Sequence, residues 1–158
     1  MTTDTLTDTP AADSWTALPA AESGGLYAQV QQFYAHQMQL FDAHDADGWA
    51  ATFTQDAHFD VPTLAEPVRG RAGLAANVRR NKAQQEGDGR RLRHWIGMLD
   101  IRSRRGEELR TRCYALVYAT ERGGPSTVLR VCVMEDVLVR VDGAWLTRHR
   151  IVTRDDLA

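Results

Sequence analysis

Two histidines stand in runs where an ionisable ring is out of place. In "RLRHWIGMLDIRS", residues 91–103, the two-residue period of a strand carries His94 onto the side shared by Leu92, Ile96 and Met98. In "AWLTRHRIV" His149 shares a side with Trp145, Thr147 and Ile151, while Arg148 and Arg150 take the other. An imidazole in an apolar layer is either a core residue satisfied by one neighbour or a proton carrier facing a hollow. Two such rings on two strands could face one cavity. There a low dielectric favours the neutral ring and a nearby carboxylate restores its basicity, the condition for exchanging protons with a substrate near neutral pH. Asp42, in "LFDAHDADGW", is the candidate carboxylate: it continues the steps of Tyr34, Met38 and Phe41 to the edge of an apolar stripe. There it could orient a histidine or hold a water; Asp42 and Asp45 also read as residues of a helix-end turn. Tyr34 and Tyr27 are core aromatics or hydroxyl donors to a substrate carbonyl.

Other groups point to less. Asp56, His58 and Asp60 alternate along "DAHFDVP" and could chelate a metal, but Ala57, Phe59 and Val61 form the buried side of that run, and exposed polar alternation accounts for the triplet, so no metal site is expected. Arg79, Arg80, Lys82, Arg90, Arg91 and Arg93 form a local basic cluster, read as a solvated face or as a surface for phosphopantetheine or an acidic acyl carrier protein. The single lysine, Lys82, lies in a polar stretch unsuited to a Schiff base, and the serines sit in tail or turn contexts without a nucleophile elbow. Cys113 and Cys132 lie in separate apolar runs without the spacing of zinc or redox motifs, which predicts buried reduced thiols. Covalent catalysis and cofactors are therefore not expected.

The elements that must position these groups follow from periodicity. The chain has 158 residues, 43% of them hydrophobic, a size for one core, and a formal charge of −2, which provides no overall basic field for nucleic acid or anionic lipid. Residues 1–22 read as a mobile tail and residues 23–158 as one domain. A helix is predicted from Leu26 to "AHDADG", a short one through "DGWAATF" with Asp47 as N-cap, and a third over "RAGLAANVRRNKAQQ". "AHFDVP" reads as a strand closed by Pro62 and "TLAEPVRG" as an irregular crossing. Four long strand runs follow, near 90–102, 109–121, 126–141 and 144–153, with "VDGAW" as a hairpin signal. Helices first and a meander of antiparallel strands afterwards is an α+β order with helices on one side of a curved sheet. Both sides of the strands are apolar in places, so a pocket lined by Tyr34, Trp49, Met98, Tyr114 and Trp145 is expected on one face and a second copy of the chain on the other. Neither a membrane-spanning run nor an export signal is visible, which predicts a cytoplasmic protein.

The runs "LFDAHDADGWAATFTQDAHFDVP", "VRGRAGLAANV", "RHWIGMLDIRS" and "MEDVLVRVDGAWLTRHRIV" together resemble the SnoaL-like branch of the nuclear transport factor 2-like superfamily, over about residues 25–153. That resemblance implies a cone-shaped α+β fold in which three N-terminal helices close a deep pocket against a curved, mixed, mostly antiparallel sheet, commonly dimerised through the sheet. The superfamily includes polyketide cyclases, scytalone dehydratase-like enzymes, ketosteroid isomerases, small subunits of ring-hydroxylating dioxygenases and non-catalytic binders. "HWIG" looks like the strand motif that holds a catalytic histidine in scytalone dehydratase, which implies that His94 is the general acid/base and Asp42 its helix-end partner. The second histidine of that enzyme has no counterpart here, Asn77 being the nearest polar candidate, and Val61 stands where a tyrosine would be expected. The implied function is a cofactor-independent dehydratase, cyclase or isomerase acting on a hydrophobic aromatic polyketide-type intermediate, with His94 and Asp42 in acid/base roles and His149 as a third candidate. A pocket that binds without transforming, or a structural dioxygenase subunit, are the alternatives.

Overall fold

The computed structural model describes residues 15–158. The first fourteen residues of the expected tail lie outside the described residues. Residues 15–22 depart from that expectation, because Thr16 pairs through its backbone with Arg104 and the first helix already begins at Ala20.

The helix α1 (Ala20–Asp42) buries Val30, Tyr34, Gln37 and Met38, a stripe at three- and four-residue steps that lies against the sheet. It ends where His44 takes a left-handed φ of 58°, after which Asp45 caps α2 (Ala46–Ala51) by accepting a hydrogen bond from Gly48 N at 3.0 Å. Asp45 rather than Asp47 is thus the cap: the helix starts earlier than the "DGW" reading placed it. β1 (Phe53–Asp60) turns Phe53, Ala57 and Phe59 inward, and β2 (Val68–Arg69) is a two-residue strand within the crossing segment. α3 (Gly70–Asp88) buries Leu74, Ala75 and Val78 and stops at Gly89, whose φ of 66° suits a residue without a Cβ.

Four long strands complete the chain: β3 (Arg90–Arg105), β4 (Glu108–Glu121), β5 (Ser126–Val141) and β6 (Ala144–Arg154). Their order is β2-β1-β6-β5-β4-β3, antiparallel throughout except where β1 lies parallel to β6. Asp142 and Gly143, both at positive φ, make the tight turn that the Asp-Gly pair announces. The result is the expected α+β arrangement: three helices on a six-stranded, mixed, open and curled sheet.

Two irregularities of the sheet decide which side chains face the helices. In β3, Gly97 pairs with Tyr114 and Asp100 with Arg112, so two residues, Met98 and Leu99, oppose the single Cys113, and Met98 has a φ of 52°. In β6, Thr147 pairs with Leu138 and His149 with the adjacent Val137, leaving Arg148 as the extra residue. Each is a β-bulge, and each reverses the side-chain alternation beyond it. The core accordingly divides in two. One cluster, around Trp49, Phe53, Phe59, Leu74 and Val78, joins α2 and α3 to β1; the other, around Val30, Tyr34, Leu109, Met134, Leu138 and Trp145, joins α1 to β4, β5 and β6.

Candidate active site

A cavity of about 460 Å³ opens between the two clusters, with Phe41, Trp49, Phe59, His94, Ile96 and Met134 in its wall. This is the size and character of a small-molecule site. His94 precedes the β3 bulge and so keeps the inward direction that its spacing predicted. Its Nδ1 lies 2.7 Å from Oδ1 of Asp42, and its backbone N–H donates to Oδ2 of the same carboxylate at 3.1 Å. Asp42 is the last residue of α1, the end at which the helix dipole disfavours a negative charge, so these two donors from β3 are what hold the carboxylate there. The side chains are 17% and 8% exposed, and the imidazole meets the edge of Phe41 with 4.9 Å between ring centroids. With Nδ1–H donated to Asp42, Nε2 carries the lone pair. No hydrogen bond engages Nε2 among the described residues. A ring so fixed can accept a proton from a bound molecule while the carboxylate stabilises the imidazolium that forms.

Trp49 and Asn77 also line this cavity, and the indole Nε1 of Trp49 is buried without a hydrogen-bond partner. Val61 lines it too. The other expected residues lie elsewhere. His149 follows the β6 bulge and therefore faces outward, where its Nε2 sits 2.6 Å from Oδ2 of Asp60 and its ring meets His58 edge-on at 5.9 Å. Met98, at the β3 bulge, is 77% exposed, and Tyr114, outward between Cys113 and Ala115, is 48% exposed. Tyr34, on α1, and Trp145, on β6, do point into the layer between α1 and the sheet, but within the α1 cluster rather than in the cavity wall; Trp145 donates to Gln29 and lies under the Arg140 guanidinium. No group of three or more His, Cys, Asp or Glu side chains is placed to hold a metal ion among the described residues, and Asp60 and His58 are engaged by His149 and Arg69 instead.

The polar floor of the cavity escaped the sequence reading. Arg150, inward because of the same bulge, lines the cavity and donates from Nε and Nη2 to the two oxygens of Asp136 at 2.9 and 2.7 Å. Nη2 also donates to Gln37, whose amide reaches Thr52 and Thr147, and the Tyr34 hydroxyl joins Asp136 and Thr111 at 2.9 and 2.6 Å. Burial, and after it the charge of Asp136, pushes the Tyr34 phenol well above its ordinary range. Burial acts to lower the Arg150 pKa, but the paired Asp136 outweighs it and the net shift is upward. The group is thus a charged, buried ion pair that ties α1 to the sheet. The signal for it was Asp136 at inward parity with Met134 and Leu138.

The SnoaL-like domain family matches residues 25–151 of the chain. Among solved structures, Aln2 from a Streptomyces species is 36% identical, with a TM-score of 0.77, over 89% of this chain and 96% of its own. ActVI-ORFA from Streptomyces coelicolor is 34% identical with a TM-score of 0.76, over 83% of this chain and 96% of its own. The β subunit of the benzoate 1,2-dioxygenase of Burkholderia mallei, 18% identical with a TM-score of 0.69 over 82% of this chain and 90% of its own, shares the fold alone. No curated protein matches the chain. No helix among the described residues is long and apolar enough to cross a membrane.

Proposed function

The chain belongs to the SnoaL-like domain family, and from that premise we propose that it is an acid/base enzyme, a dehydratase, cyclase or isomerase, acting on an aromatic polyketide-type intermediate. The observation that carries this reading is the His94–Asp42 pair at the wall of a cavity whose lining there includes Phe41, Trp49 and Ile96. His94 Nε2 removes a proton next to a substrate carbonyl and Asp42 stabilises the resulting imidazolium; the enolate then expels a β-hydroxyl, which leaves as water with the proton returned from His94, or adds to a second carbonyl whose oxygen takes that proton. Trp49, Phe41 and Phe59 hold the aromatic body, and no cofactor is needed for these steps. The test is exchange of the α-protons of 2-naphthylacetone in D₂O, followed by proton NMR: the protein accelerates exchange over buffer. A protein that binds the ketone and leaves its exchange rate at the buffer value is a binder, and the enzymatic reading is then wrong.

The outer face of the sheet supports the expected homodimer. Trp95, Leu116 and Val131 form one cross-strand row there, and Trp95, Met98, Tyr114 and Val131 are exposed large apolar side chains. A second copy is the occupant of this face in our reading. Trp95→Glu then converts a dimer to a monomer in sedimentation, and a wild-type protein that sediments as a monomer contradicts it.

A further inference from the structure

Away from His94 the same cavity ends in three arginines from three strands: Arg90 at the start of β3, Arg130 in β5 and Arg154 at the end of β6. Two are already matched. Arg90 lies 3.4 Å from Asp88, and Arg154 donates to Asp156 at 2.9 and 2.5 Å. Arg130 has no carboxylate within hydrogen-bond or ion-pair distance among the described residues; Asp156, held by Arg154, acts on it only from farther away. The Nε of Arg130 and that of Arg90 are buried without a partner. A guanidinium carries five donors in a fixed fork and stays charged, and the buried Nε–H of Arg130 goes unanswered until an acceptor enters the cavity.

The strand register sets where this charge stands. His94 pairs with Val117 and Val117 with Arg130, so the imidazole and the guanidinium belong to one row of the sheet, two strand spacings or about 10 Å apart. Both point to the helix side, since Arg130 has the parity of buried Cys132 and Met134. The space between them is apolar, with Ala115, Val117 and Cys132 among the lining residues.

We propose that Arg130, flanked by Arg90 and Arg154, is an anion-recognition subsite that takes a carboxylate carried by the substrate at the end remote from His94. The proposal rests on the cavity being the substrate site. The fork of Arg130 matches the two oxygens of a carboxylate, while Arg80, which also lines the cavity, is exposed and donates to Asn77. Burial, and then the charges of Arg154 and Arg90, already lower the Arg130 pKa, a repulsion that a bound anion relieves. The preferred ligand is therefore a free aromatic acid, with its ring system over the apolar strip and its reacting carbonyl near His94.

Calorimetric titration with 2-naphthoate and its neutral isostere 2-naphthamide tests this. The wild-type protein binds the acid at least tenfold more tightly than the amide. Arg130→Gln removes that preference by weakening the acid and leaving the amide unchanged; Arg130→Lys, which keeps the charge and loses the fork, retains part of it; His94→Ala retains all of it. Equal binding of acid and amide by the wild type, or an undiminished preference in Arg130→Gln, overturns the subsite. Displacement of naphthoate by inorganic phosphate at equal affinity overturns the carboxylate assignment. The two readings fail separately: acid preference without α-proton exchange refutes the acid/base function alone, and exchange without acid preference refutes the subsite alone.

Discussion

The two faces of the sheet hold nearly the same motif in different surroundings. On the inner face His94 meets Asp42 at 2.7 Å, and on the outer face His149 meets Asp60 at 2.6 Å. The inner side chains are 17% and 8% exposed, the outer ones 39% and 36%. Distance alone therefore does not distinguish a site from a surface pair. What differs is the medium: water screens the outer pair and competes for its hydrogen bonds, whereas the inner pair acts at full strength on whatever enters the cavity.

The contrast extends to ion pairs on neighbouring residues, and there it is expected to be largest. Asp136 faces inward and is buried against Arg150, while Glu135, one residue earlier, faces outward against half-exposed Arg112 at 3.0 Å. Asp136→Ala strands a buried guanidinium and is expected to lower stability by about 3–5 kcal/mol. Glu135→Ala is expected to change it by about 0–1 kcal/mol. Urea unfolding of the two variants checks this, and similar midpoints would mean that the faces do not differ as described.

The next contrast concerns the carboxylates beside the histidines. Asp42→Asn leaves the imidazole without its charge partner and is expected to slow α-proton exchange about tenfold or more, approaching the range by which acid/base groups contribute. Asp60→Asn should leave the rate unchanged. Exchange measured side by side on the two variants decides it.

A smaller effect comes from the thiols. Burial, reinforced by Asp136, pushes the inward Cys113 from its ordinary 9.0 up to about 12. A folded-state pKa raised in this way contributes stability that is full below about pH 9 and is lost as the pH rises toward about 12, because the unfolded chain ionises first. Between about pH 8 and 10 the loss is expected to be about 1 kcal/mol. Cys113→Ala should flatten that part of the urea-midpoint profile, and an unchanged slope would remove the thiol from the account.

Which of these residues were legible in the sequence depended on bulges. Periodicity located the three helices and the four long strands, with β4 and β5 matching within a residue, since long amphipathic runs carry strong signals. His94 precedes the irregularity of its strand and points as alternation requires. Met98 sits on a bulge and His149 just past one, so strict alternation assigned them to the wrong face. Nothing in "AWLTRHRIV" marks Arg148 as an extra residue, because a bulge there requires no glycine and is set by the register of the partner strand. The same blind spot hid Arg150, whose inward turn builds the buried pair with Asp136. Tyr114, expected in the pocket, was misplaced for a different reason: its strand alternates cleanly, but the small Cys113, Ala115 and Ala119 lie on the inner side and the large aromatics on the outer one, against the habit of placing large rings inside. Asp42 was legible as a position but not as a contact, since its meeting with His94 joins residues 52 apart in the chain.

The comparison of the two histidines is tested most directly by α-proton exchange of 2-naphthylacetone in D₂O with His94→Ala and His149→Ala side by side. The account predicts that the first variant, still folded, loses exchange by about 10²-fold or more, while the second stays within about threefold of the wild type. Undiminished exchange in His94→Ala, or an equal loss in both variants, would contradict it.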